Sequence, residues 1–434
     1  MEKRVMTDSK RRKGFIATAA LAGGVVVLSA CGSASGVGGG DSHAGGGAST
    51  PAHDRARQVD EAAAQDASHA KIKITPKDGS STAGISKDAK VTVKSGKLTS
   101  VTMTAVESKK TVAGTLAADG SSWTPSQDLA RATQYKITAH AVDSAGRKAV
   151  ENSTFTTVSP ANSFIGNFTP EDGSTVGVGM PVSLHFDKPV KDKKAVESAI
   201  TVAASSNQKV VGHWFDDTRL DFRPQEYWKA NSDITVKLAL GGVEASPGVQ
   251  GIQNKTVRFH VGRSQVSTVD AKTHLMTVVR DGKTLKTIPI SAGSADHPTY
   301  NGRMVISEKY EQTRMDGSTV GFTNNDGKGE YDIPDVPHAM RLSTSGTFIH
   351  GNYWGKGIFG NVNTSHGCIG LPDAKGAGDP STDGAWFFNH SLIGDVVTVV
   401  NSPDRTIQPE NGLNGWNMSW QQWVAGSALG GSPS

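Results

Sequence analysis

Cys368 is one of two cysteines in the 434-residue chain, and the only one beyond residue 31. It stands two residues after His366 and eighteen after His350, in the Gly- and Asn-rich stretch HGNYWGKGIFGNVNTSHGC, which continues into Ile369, Gly370 and Leu371. A lone thiol with two imidazoles close by in the chain has the makings of a nucleophile and its base. A free thiol with a pKa of ~8.5 is only about 3% thiolate at neutral pH, so an imidazole or aligned backbone N–H groups must raise that fraction. A zinc site from His338, His350, His366 and Cys368 is an alternative by residue type, but the spacing matches no common zinc motif.

Positioning these groups is a task for strands. The apolar run Thr347-Phe348-Ile349 leading into His350 reads as one. If residues 365 to 369 are extended, positions 366 and 368 share a side and His350 approaches from a neighbouring strand. Upstream, Val266 to Asp270, Leu275 to Val279 and Leu285 to Ile290 alternate as strands, the last two joined by an Asp281-Gly282 hairpin turn. Met304 to Ser307 adds another strand, and Gly321 to Gly329 reads as a mobile loop.

His350, fourteen residues, then Ser365-His366-Gly367-Cys368 resembles the signature of the YkuD-type L,D-transpeptidase catalytic domain. Asn363-Thr364 and Ala385-Trp386-Phe387-Phe388 are similar to the same family, and the likeness runs from residue 264 to about 425. The resemblance implies Cys368 as nucleophile, His350 as general base and His366 as a loop-orienting residue. It implies an oxyanion site from Gly367, Cys368 and Tyr331, and substrate contacts from Tyr331, Met315, Trp354, Gly351, Ser365 and Asn363. It also implies no cofactor and no metal. The partners implied are peptidoglycan stem peptides, a tetrapeptide donor and a diamino acid amine as acceptor, with carbapenem β-lactams as inhibitors. Residue 351 is Gly where a serine often follows the base, and residue 370 is Gly where Asn or Arg is usual; these departures bear on hydrogen bonding around the site. The remaining histidines, His297 among them, read as surface or packing residues. A cell-wall thiol peptidase and a non-catalytic wall-binding protein are the competing readings.

At the start of the chain, six basic and two acidic residues within positions 2 to 13 precede an uncharged, mostly apolar run from Gly14 to Ala30, the pattern of a secretory leader. The ending Leu28-Ser29-Ala30-Cys31 resembles a lipobox, which implies lipidation of Cys31, attachment to the membrane and an extracytoplasmic location facing the cell wall. The leader's excess charge equals the formal net charge of the whole chain, +4. The remainder is close to neutral, which argues against nucleic acid as a partner, since that requires a basic surface. Residues 31–68 read as a flexible Gly/Ala/Ser-rich tether.

Two segments then repeat. Ile74-Thr75-Pro76-Lys77-Asp78-Gly79-Ser80 recurs as Phe168-Thr169-Pro170-Glu171-Asp172-Gly173-Ser174. Each copy is followed by period-two strands between Gly/Pro/Asp turns, the pattern of a β-sandwich. Trp214, Tyr227 and Trp228 are either core residues or a carbohydrate platform. The expected fold is mainly β: immunoglobulin-like sandwiches at 69–160 and 161–263, a YkuD-type catalytic domain at 264–402 and a Trp-rich tail at 403–425. There, Trp416, Trp420 and Trp423 share one helical face packed at an interdomain seam. Residues 1–30 are the leader, and 426–434 are expected to be disordered.

Overall fold

A computed structural model of the chain describes residues 67–86 and 88–430. The leader, Cys31, nearly all of the tether and residues 431–434 lie outside the described residues.

Lys71–Thr75, Lys90–Lys94, Ser122–Pro125 and Gly114–Leu116 form one sheet, and Lys97–Ala105, Gln134–Val142 and Lys148–Thr156 another. Alternate residues Met103, Trp123, Ile137 and Phe155 are buried between them. The second sandwich pairs a sheet of Val210–Trp214, Arg219–Pro224, Val182–Phe186 and Gly166–Thr169 with one built on Asn254–Val261, Ser232–Ala239 and Ile200–Ala204. Trp214 and Trp228 are buried in its core, so they form no carbohydrate platform; the Trp228 indole donates to the Met180 carbonyl at 2.5 Å.

The repeated heptapeptides do the same work in both sandwiches. Asp78 accepts from the Thr154 amide at 2.6 Å while the Gly79 amide donates to the Thr154 carbonyl. Asp172 and Gly173 make the same two bonds to Arg258. Gly79 and Gly173 both sit at positive φ, 78° and 75°, where only glycine is unstrained.

From Gln265 onward the chain makes two packed sheets. One orders Lys283–Pro289, Leu275–Arg280, Gln265–Asp270, Val396–Val400 and Gly302–Val305. Its Asp281-Gly282 turn has both residues at positive φ, the geometry that matches strand twist in a two-residue hairpin. The other orders Glu308–Asp316, Asp332–Arg341, Phe348–Asn352 and Ile369–Pro372. Val269, Met276, Ile288, Met304 and Val399 face Met340, Ile349, Ile369 and Leu371 across a core closed by Phe387 of the helix Asp383–His390.

The Trp-rich tail lies where this core meets the second sandwich. The Trp416 indole donates to the Gly179 carbonyl at 2.7 Å and the Trp423 indole to Val211 at 2.9 Å, while Asn414 accepts from the Val305 amide. Arg223 sits over the rings of Trp416, Trp420 and Trp423. The three do not share one helical face: Trp416 belongs to a 3-10 turn, Gly415–Asn417, and the helix Trp420–Ala425 begins at its Ser419 N-cap, which forms a capping box with Gln422. Residues 426–430 correct a second expectation, because they are ordered. The Trp214 backbone amide donates to the Gly426 carbonyl, and the Ser427 hydroxyl and the Ala428 amide donate to Glu197, whose burial demands such partners.

Candidate active site

His350 and Cys368 line one cleft because two strands run parallel. Phe348–Asn352 pairs with Ile369–Pro372 in parallel register, His350 opposite Gly370 and Ile349 opposite Ile369. Parallel neighbours need a crossover of a dozen or more residues, and residues 353–368 are that crossover. Side chains alternate across a strand, so Ile349, Ile369 and Leu371 enter the core while His350, Cys368 and Gly370 turn to the opposite face. There they line a cleft of about 210 Å³ with Met315, Tyr331, Ile333, Trp354, Ser365 and His366.

Each group is held from behind. Cys368 is 7% exposed, and its thiol donates to the Gly346 carbonyl at 3.6 Å. Burial pushes the thiol pKa up to about 11. His350 is equally buried; its Nδ1 lies 2.8 Å from the Gly351 carbonyl, which can only accept. Nδ1 therefore carries the proton and Nε2 is left with its lone pair. Burial lowers the His350 pKa from its ordinary 6.5, opposed by that hydrogen bond and by the charge of Asp373. Trp354 stacks on the imidazole with ring centroids 5.8 Å apart.

Ser365 donates to the Cys368 carbonyl at 2.6 Å, and Gly367, at φ 99°, turns the chain between His366 and Cys368. Tyr331 stands at the end of the hairpin formed by Glu308–Asp316 and Asp332–Arg341, where Met315 pairs with Ile333. Its hydroxyl is driven up to about 12, first by burial and then by the nearby Cys368. The loop between those strands is ordered by turns, with the Asn324 amide donating to Lys328 and the Gly327 amide to Asn324.

Two residues expected at the cleft wall are elsewhere. The Asn363 amide is occupied by the scaffold: it accepts from the Ala292 amide, donates to the Ala271 carbonyl and meets His274 Nδ1. Gly351 faces away from the cleft, and a Cβ there would lie 1.9 Å from an Asp373 oxygen.

Asp373 was not singled out in the sequence. It accepts from His338 Nδ1 at 2.7 Å, from the Thr382 hydroxyl at 2.8 Å and from the Ala374 amide at 2.7 Å, with its side chain fully buried. A serine at 351 and an aspartate at 373 would occupy one space, so the glycine after His350 goes with the carboxylate beneath it. Gly370, the other departure, has less than a full side chain's room, with Asn352 3.3 Å from where a Cβ would be. Glu330 and His297 were also missed: Glu330 lies 3.1 Å from His366, and His297 stacks on His366 with centroids 4.8 Å apart.

A family model for the L,D-transpeptidase catalytic domain matches residues 264–399, and one for a bacterial Ig domain matches 80–244. L,D-transpeptidase 2 of Mycobacterium tuberculosis (strain CDC 1551 / Oshkosh) is 34% identical over 347 residues, 80% of this chain and 82% of that protein. L,D-transpeptidase 5 of Mycobacterium tuberculosis (strain ATCC 25618 / H37Rv) is 32% identical over 328 residues, 74% of this chain and 69% of that protein. Among solved structures, the LD transpeptidase LdtMt1 in complex with imipenem is 29% identical, with 56% of this chain and 100% of that chain covered at a TM-score of 0.45. With immunoglobulin-like sandwiches leading into a YkuD-type domain, and this extent of identity to such relatives, the chain belongs to the L,D-transpeptidase family of enzymes.

Proposed function

We propose that the chain forms 3→3 cross-links between peptidoglycan stem peptides through a thioester on Cys368. The observation that carries this reading is the parallel pairing that puts His350, with Nε2 unprotonated, and Cys368 on one face of one cleft.

A thiol with a pKa near 11 is roughly one part in 10⁴ thiolate at neutral pH. Attack therefore requires the proton to leave as the bond forms. The S–H turns from the Gly346 carbonyl, His350 Nε2 takes the proton, and sulfur attacks the carbonyl carbon between the third, diamino acid residue and the terminal D-Ala. The carbon–nitrogen bond breaks, the imidazolium returns its proton to the departing D-Ala amine, and a thioester remains. An acceptor amine attacks the thioester, His350 takes the proton, and carbon–sulfur cleavage restores the thiol. The Gly367 and Cys368 amides, with the Tyr331 hydroxyl, hold the oxyanion, a role typically worth about 3 kcal/mol. Met315, Trp354 and Ser365 contact the stem peptide, and His366 orients the loop.

Asp373 is a positioning residue. Its charge lies beneath the Gly351 peptide that fixes the His350 tautomer, and it favours the imidazolium formed with the thiolate. Gly370 leaves the floor of the cleft beside His350 open to the acceptor. Carbapenems acylate the same sulfur, and the proposed lipid on Cys31 holds the enzyme at the outer face of the membrane.

The test is product analysis with a disaccharide-tetrapeptide substrate. The reading requires a dimer lighter than two substrates by one D-Ala and one new amide between diamino acids. Tripeptide and free D-Ala without dimer would assign the site to hydrolysis instead.

A further inference from the structure

Glu330, the residue before Tyr331, aims its Oε2 at two imidazoles: His366 Nε2 lies 3.1 Å away and His297 Nε2 3.8 Å away. The three donor atoms all lie within 4.8 Å of one another. They come from three segments: the loop before Gly302–Val305, the loop closing the Glu308–Asp316 hairpin, and the turn before Cys368. Each side chain is about one-third exposed, and Phe322 sits edge-on to both imidazoles.

We propose that His297, Glu330 and His366 bind a divalent transition-metal ion of the zinc type, tying the hairpin loop to the loop that carries Cys368. Two imidazoles and one carboxylate form a donor set that holds zinc with a position left open. Calcium and magnesium select oxygen-rich sites, and soft cuprous ions select sulfur. In a tetrahedral zinc site with bonds of ~2.05 Å, ligand atoms stand about 3.4 Å apart. The two separations from Glu330, 3.1 and 3.8 Å, bracket that edge, while the imidazole pair is held only to within 4.8 Å and must close on the ion. The rings are stacked at 23°, so both must pivot to aim at one ion, and their exposure gives them room. A cavity of about 250 Å³ lined by His297, Phe322 and His366 leaves space for a water as fourth ligand.

The ion would fix Glu330 and, through it, Tyr331 at the mouth of the cleft. Because His366 must pivot to reach the ion, it leaves the position from which it orients the Cys368 loop, so acylation of Cys368 is slowed by the metal and restored by chelation. Metal binding itself does not rest on the acyl-transfer reading, because none of the three ligands is the nucleophile or its base.

The test uses the full chain stripped by chelator, titrated with zinc chloride by calorimetry and with cobalt(II) by absorbance, for wild type, His297→Gln, Glu330→Gln and Cys368→Ser, each checked for folding by circular dichroism. Outer-shell losses alone cost ~10–100-fold in metal affinity, so His297→Gln and Glu330→Gln are expected to weaken binding by at least ~10-fold. Wild type and Cys368→Ser should take up one ion with equal affinity, without a thiolate charge-transfer band. In the acylation assay, His297→Gln keeps the metal-free rate and is no longer slowed by zinc. Absence of saturable binding up to ~1 mM zinc, a millimolar affinity being only about 4 kcal/mol, would leave an ordinary His–Glu contact and overturn the proposal. Unchanged affinity in His297→Gln, or a thiolate band lost in Cys368→Ser, would place the ion elsewhere and overturn it equally.

Discussion

Behind the strand that carries His350, the Asp373–His338 pair is closed to solvent and every Asp373 oxygen has a partner. In front of Cys368, the His297, Glu330 and His366 cluster is about one-third exposed, with two rings facing one carboxylate oxygen. The buried cluster allows one arrangement, because an unpaired charge there would cost several kcal/mol. It can set a tautomer and a local potential. The open cluster loses little by changing partners, since exposed ion pairs are worth only ~0–1 kcal/mol. It can respond to ligands. Rigid groups behind the reacting atoms and adjustable ones at the mouth divide the site by burial.

That division can be broken by variants. The largest effect is expected for His350→Ala, which should lower acylation by about 10²- to 10⁴-fold, measured by stopped-flow with a carbapenem. A loss under tenfold would mean that a group of the open cluster, such as His366, serves as base. Trp423→Ala lies outside both clusters; truncating this buried ring should cost about 3–5 kcal/mol in a denaturant titration, with the acylation rate per folded molecule unchanged. A selective loss of acylation there would give the tail a part in the site.

Gly351→Ser should be destabilised by about 1–3 kcal/mol or more, because its Cβ would meet an Asp373 oxygen at 1.9 Å. The double variant Gly351→Ser/Asp373→Ala should recover much of that stability. Simple additivity of the two losses would refute the shared space. The smallest effect concerns pH. As the proposed base, His350 would act only when neutral, and its pKa lies below 6.5, so kcat/KM for acylation should fall only as pH drops through a midpoint below 6.5. The Asp373 charge raises that pKa, so Asp373→Asn should move the midpoint further down. An upward move would contradict the positioning role.

The fold class and the pairing of His350 with Cys368 were legible because both rest on local pattern. Alternation marks strands, and the apolar run before His350 marks one beside the Cys368 loop; that the two strands run parallel came only from the structure. The repeated Asp-Gly turns were legible for the same reason. Asp373 was not, because it meets His338 across 35 residues and its role depends on what lies under Gly351. His297 and Glu330 gave no signal either, their contact with His366 being made only when three segments converge. The Trp spacing misled where a nearer signal was available: Ser419 and Gln422 form a capping box, which starts the helix after Trp416. Asn363 misled because its polar groups brace the scaffold.

The central claim is that acyl transfer passes through the Cys368 sulfur. The most direct measurement is the intact mass of wild type and Cys368→Ala after brief incubation with a disaccharide-tetrapeptide and acid quench. The account predicts a wild-type adduct equal to the substrate less D-Ala, labile to hydroxylamine and mapped to the peptide containing Cys368, with none on the variant. An adduct of the same mass on folded Cys368→Ala, or dimer formed by that variant, would contradict it.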